Sequence, residues 1–155
     1  NIKSKKKFEK IYKKIKNKND ILNIYINNIL VGDLIYDTFL TRNGNQKPTV
    51  DFKEEDFKDF LLDFIKLFYF WVEYFDNNII KAILSTHGCY TMGIPVRIAL
   101  NKEILALEVK ENRLKRLSQK NLFYSCESEQ YPKMFEALSS DLKNTALKTA
   151  ENRIE

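Results

Sequence analysis

The sequence predicts an α/β fold, a Rossmann-like three-layer domain with a mostly parallel sheet, preceded by an amphipathic amino-terminal helix. Three observations carry this expectation. Two short apolar runs, residues 79–84 (Ile-Ile-Lys-Ala-Ile-Leu) and 104–109 (Ile-Leu-Ala-Leu-Glu-Val), have the character of strands buried inside a parallel sheet. The segment between them, with Ile94, Val96, Ile98, Ala99 and Leu100, is long enough for the helical crossover that parallel neighbours require. Ahead of both, apolar residues keep helical spacing from Phe57 to Phe75.

The elements follow in order. Phe8, Ile11, Tyr12 and Ile15 fall on one face of a helix whose other faces are lysine. Residues 1–18 hold nine of the 26 basic residues against one acid, and the rest of the chain carries 17 basic and 20 acidic residues. The formal charge of +5 is therefore a property of the first helix. A mildly acidic body argues against nucleic acid as a partner. The helix reads either as a surface element docking its apolar stripe on the domain, or as a peripheral contact with an anionic membrane surface. Residues 19–155 form the expected domain, in the length range of a single core.

Residues 21–31 predict short strand structure around Ile24, Ile26, Ile29 and Val31, turning at Asn27-Asn28 and leading into Gly32-Asp33 and a helix. Residues 42–48 read as a loop. Asp51 stands where a helix cap belongs, with Glu55 and Asp56 adding negative charge to the first turn. The helix it opens would run about 24 residues, or about 36 Å. Half of the chain's aromatic residues lie between Phe52 and Phe75, and at helical spacing they read as core. Asn77-Asn78 ends this helix, and Pro95 fits the first turn of the crossover helix. Residues 113–117 and 122–124 predict strand or extended loop, and 131–138 and 141–154 predict helices. Cys89 and Cys126 fit neither a disulfide framework nor a zinc spacing, which suits a reducing, cytoplasmic setting. No run is long and apolar enough to span a membrane, and no secretion signal opens the chain.

Ligands of open α/β sheets bind beyond the carboxyl ends of the strands. The loop Ser85-Thr86-His87-Gly88-Cys89-Tyr90-Thr91-Met92-Gly93 follows the first predicted parallel strand and holds the chain's one histidine. His87 is a candidate general base, or a residue that merely holds the loop. Asp33 is a candidate base or ligand of sugar hydroxyls, or a cap for the helix after Gly32. Arg97 offers a planar fork for a phosphate or carboxylate, or pairs with an acid. No phosphate-binding glycine fingerprint, clustered metal ligands or nucleophile motif is present.

Three segments resemble the amino-terminal region of bacterial capsule and surface-polysaccharide biosynthesis proteins. They are Gly32-Asp33-Leu34-Ile35-Tyr36-Asp37-Thr38-Phe39-Leu40, then Pro48-Thr49-Val50-Asp51, then the loop from Ser85 continued through Ile94-Pro95-Val96-Arg97-Ile98-Ala99. The resemblance implies a glycosyltransferase of the GT-B arrangement, in which two Rossmann-like domains face each other across a cleft. This chain would then be the acceptor-side domain, cut before the second domain that binds the nucleotide-sugar donor. The expected acceptor is a growing surface polysaccharide or a lipid-linked saccharide, and no cofactor or metal is implied. Gly32, Asp33, Tyr36 and Asp37 match the first motif, and His87, Tyr90, Gly93 and Arg97 match the second. His87 or Asp33 would take the acceptor's proton, and the others would bind substrate. The alternative is a non-catalytic α/β module that associates with a membrane or partner through its basic helix.

Overall fold

The computed structural model describes residues 2–42, 49–110, 113–122 and 131–154. The chain is mixed α/β and divides into two compact units, residues 1–124 and 125–155.

The larger unit opens with α1 (Ile2–Tyr12), where the lysine-rich pattern predicts a helix. Phe8, Ile11 and Tyr12 pack against the core, and Ile15, just past the helix, is buried. The apolar stripe is thus occupied by the fold itself. Tyr12 Oη donates to the Phe52 carbonyl at 3.1 Å, and the Lys3 ammonium sits 4.7 Å over the Tyr69 ring.

The start of the strand structure expected over 21–31 is taken instead by a helix of residues 18–22. They form α2 (Lys18–Leu22), because Asn17 and Asp20 make a reciprocal capping box: Asn17 accepts from the amides of Asn19 and Asp20, and Asp20 accepts from that of Asn17. The strand pattern begins only afterwards. β1 (Tyr25–Ile26) and β2 (Ile29–Leu30) pair antiparallel around Asn27 and Asn28, whose φ values of 51° and 63° suit the left-handed turn that asparagine tolerates. Gly32 then opens α3 (Gly32–Thr41). A Cβ at Gly32 would overlap the carbonyl oxygens of Ile21 and Leu22, so only glycine lets α3 begin this close to α2.

The long helix α4 runs Glu55–Asn77. Asp51 does not cap it. Its carboxylate accepts from the Lys53 amide at 3.0 Å, and its carbonyl from Glu54, closing a turn before the helix starts. Glu55 and Asp56 do occupy the first turn. Phe57, Phe60, Leu61, Phe64, Ile65 and Phe68 are buried, as the aromatic periodicity predicts. Phe70 and Tyr74 are exposed, and they form an aromatic cluster with Trp71, which is partly buried against the core.

β3 (Ala82–Ser85) and β4 (Leu105–Lys110) pair in parallel, from Ala82↔Leu105 to Ser85↔Glu108. Their connection holds a 3-10 turn at Tyr90–Met92 and then α5 (Gly93–Asn101), with Pro95 in its first turn. The β-α-β unit read from the two apolar runs is therefore present. β5 (Arg113–Arg116) adds antiparallel, so the three-stranded sheet is mixed, ordered β3-β4-β5, and its parallel part is the β3–β4 pair. Buried Ile94, Val96, Ile98 and Ala99 of α5 join the core with Ala106 of β4 and Leu117. Leu84, Leu105 and Leu114 share one sheet face by register and are exposed.

The smaller unit contains α6 (Tyr131–Glu136) and α7 (Ser140–Ile154), near the two helices expected there. A Lys143–Glu136 ion pair at 3.0 Å ties them. No helix among the described residues is long and apolar enough to cross a membrane. Residues 43–48 of the loop expected at 42–48, residues 123–124 of the segment expected at 122–124, and Cys126 lie outside the described residues.

Candidate functional site

The parallel strand β3 delivers the chain into the loop that carries His87. The loop is held at its start by Ser85, whose hydroxyl donates to the His87 carbonyl at 2.7 Å and accepts from the His87 amide at 3.1 Å. The imidazole is exposed and lies against Tyr90, with ring centroids 5.9 Å apart. Tyr90 has φ 53°, a left-handed conformation uncommon for an aromatic residue. Gly88 and Gly93 close the other side. A Cβ on Gly93 would stand 2.5 Å from the Gly88 carbonyl oxygen and 2.8 Å from Leu34 Cδ2, so Gly93 is a packing residue that lets the loop, α5 and α3 meet.

Beside this loop, the amino end of α3 meets α5 through Asp33 and Arg97. Both terminal nitrogens of Arg97 donate to the Asp33 carboxylate, one at 2.6 Å, and Nη1 also reaches the Leu30 carbonyl at 2.6 Å. Arg97 is 3% exposed, whereas the Asp33 side chain is 38% exposed. The pair therefore has one buried end and one wet end. Arg97 Nε is buried with no hydrogen-bond partner. Asp33 is thus engaged as a counter-ion, which favours the pairing reading of Arg97 over a free anion-binding fork.

Asp37 stands one turn along α3, and its carboxyl is raised from its ordinary value by burial and then by the negative charge of Asp33. The Cys89 thiol is pushed up by burial and by Glu108, Asp37 and Asp33. Asp33, Asp37, Arg97 and Glu108 thus each lie within electrostatic reach of the Cys89 thiol. Sequence reasoning missed Glu108, buried on β4 opposite Lys115; its signal was an acid inside an apolar run. Tyr36 is elsewhere: it is buried, its hydroxyl pairs with Thr49 Oγ1 at 3.1 Å, and the Lys18 ammonium lies 4.8 Å over its ring.

Of the residues singled out by sequence, the structure joins Asp33 to Arg97 and His87 to Tyr90. No hydrogen bond or ion pair connects the two pairs. The flanks of the histidine loop open on a cleft of about 690 Å³ between β3 and the end of α4. Its walls are mostly apolar, including Trp71, Tyr74, Leu84, Met92 and Val96, with the hydroxyl residues Ser85, Thr86 and Thr91 on the loop side. Among the described residues, no group of three or more His, Cys, Asp or Glu is placed to hold a metal ion. No protein-family model matches this chain, nor does any curated protein or any solved structure.

Proposed function

We propose that this chain is the acceptor-side, Rossmann-like half of a GT-B glycosyltransferase that extends a surface polysaccharide or a lipid-linked saccharide in the bacterial cytoplasm. The observation that carries the reading is an exposed histidine immediately beyond the carboxyl end of a parallel strand, on a loop that borders a large open cleft. The exposed sheet face at Leu84, Leu105 and Leu114 also suits a larger α/β assembly.

In this reading the acceptor hydroxyl loses its proton to the His87 imidazole as its oxygen attacks the anomeric carbon of a nucleotide-sugar. The bond from that carbon to the nucleotide's phosphate oxygen breaks, and the nucleotide leaves with the electron pair. Asp33 is the weaker candidate for the base, because its carboxylate already accepts from Arg97. Tyr90 would line the acceptor's approach. The Asp33–Arg97 pair, Gly32 and Gly93 would hold α3 and α5 in the positions that present the loop. The donor would be bound by a second domain, so the chain alone should not turn over. In the two-domain enzyme, His87→Ala should lower sugar transfer by about 100-fold or more, measured with radiolabelled donor at saturating acceptor. Turnover within about threefold of the parent would remove His87 from the chemistry.

A further inference from the structure

Two smaller pockets meet at Tyr25, and neither belongs to the histidine loop. One, of about 390 Å³, is lined by Tyr25, Asn28, Arg97, Asn101 and Gln119 with a few aliphatic side chains. Its one charged lining residue is Arg97, already neutralised by Asp33. What remains is an aromatic ring, three carboxamides and an apolar floor. That combination suits a neutral polyhydroxy ligand, because carboxamides both donate to and accept from hydroxyls while a ring covers the C–H face of a sugar. Tyr25 is 54% exposed despite its size.

The second pocket, of about 250 Å³, has the opposite electrostatics. Lys7, Lys10 and Lys14 lie on one face of α1 or just past it and line it together with Asp20, Asn23 and Tyr25. The one acid, Asp20, is committed: a single carboxylate oxygen accepts from the amides of Lys16 and Asn17 at 2.8 and 3.1 Å. The lysines are therefore undercompensated. Consistent with this, the Lys7 ammonium is held below its ordinary value by partial burial and then by the charges of Lys10 and Lys14. An anion between the three would relieve that repulsion.

We infer that Tyr25 joins these pockets into one binding site for a phosphorylated saccharide, with the sugar among Asn28, Asn101 and Gln119 and the phosphate among Lys7, Lys10 and Lys14. The inference deepens the glycosyl-transfer reading, on which the choice of a sugar ligand partly rests. It is tested by direct binding to this chain, without turnover, so the two fail separately.

Isothermal titration of the whole chain with N-acetylglucosamine 1-phosphate, N-acetylglucosamine and inorganic phosphate reads the result. The sugar phosphate should bind at least about tenfold more tightly than either part alone. Replacing Lys7, Lys10 and Lys14 together by alanine should cancel the advantage of the phosphate while leaving the neutral sugar unaffected. Asn101→Ala with Gln119→Ala should weaken the sugar and leave inorganic phosphate unaffected, and Tyr25→Ala should weaken the sugar phosphate. Lys66→Ala, which removes a lysine paired with Asp63 on α4, serves as the control and should change nothing. Thermal melts confirm that each variant remains folded. No heat with the sugar phosphate up to about 10 mM, equal affinity for sugar phosphate and inorganic phosphate, or an unchanged triple-lysine variant would each overturn the site.

Discussion

Replacing Asp33 by alanine leaves the Arg97 guanidinium buried with one remaining acceptor, the Leu30 carbonyl. Two charge-assisted hydrogen bonds disappear, each of which contributes about 1.5–3 kcal/mol. Removing one partner of a fully buried ion pair costs about 3–5 kcal/mol. The Asp33 side chain is 38% exposed, however, so water can enter where the carboxylate stood and solvate part of the freed charge. Asp33 also lies in the first turn of α3, where a negative charge adds about 0.3–1 kcal/mol. The net expectation is a loss of about 2–3 kcal/mol, a large share of a typical stability of about 5–15 kcal/mol. Arg97→Met should cost less, about 1–2 kcal/mol, because it removes the buried charge and leaves a carboxylate that water reaches. The double variant should lose less than the sum of the two single losses, by about 1–2 kcal/mol of coupling. Urea unfolding followed by the fluorescence of Trp71, the chain's one tryptophan, measures all four species. A loss below about 0.5 kcal/mol for Asp33→Ala, or strict additivity in the double variant, would show that this pair does not tie α3 to α5.

Gly32→Ala should destabilise by about 3 kcal/mol or abolish folding, because the new methyl group overlaps two backbone carbonyls that cannot move without parting α2 from α3; a melting temperature within a few degrees of the parent would contradict this. Asp37→Asn should stabilise modestly at neutral pH, by about 0.5 kcal/mol at most given its contact with solvent. The sign follows from the raised carboxyl: the folded state prefers the protonated form, so its contribution is present at acid pH and lost as pH rises through the folded value. The advantage of asparagine should therefore shrink toward zero below about pH 3, under the ordinary aspartate pKa of about 3.9, where wild-type Asp37 is neutral in both states. Parallel urea titrations at both pH values check it, and an asparagine variant less stable than the parent at pH 7 would refute the assignment.

Much of the chain could be read in one dimension. The parallel β3–β4 pair followed from two apolar runs and the length between them, although the sheet is not buried on both faces as all-apolar runs suggest: Leu84, Leu105 and Leu114 lie on an exposed face. The aromatic repeat gave α4, and Asn27-Asn28 gave the hairpin turn, since both signals are local in sequence. Locality also explains the errors. The apolar neighbours of Ile21 point to a strand, whereas the Asn17–Asp20 capping box starts a helix there. The spacing of Asp51 suits the α4 cap, yet its side chain closes the preceding turn, and a carboxylate followed by acids has the same spacing in either arrangement.

The functional picture divides along the same line. Sequence by itself determined that His87 lies just past a strand-like apolar run and that the positive charge gathers in residues 1–18, because chain order and composition fix both. Only the tertiary structure decided what those residues meet. It gave Asp33 to Arg97 across 64 positions, placed Gly93 against Leu34, and brought Tyr25 between lysines in and just past α1 and the carboxamides of Asn28, of Asn101 at the end of α5 and of Gln119 after β5. Such pairings depend on how helices cross and how closely backbones approach. Spacing along the chain encodes neither, whereas a single missing side chain, as at Gly32, sets both.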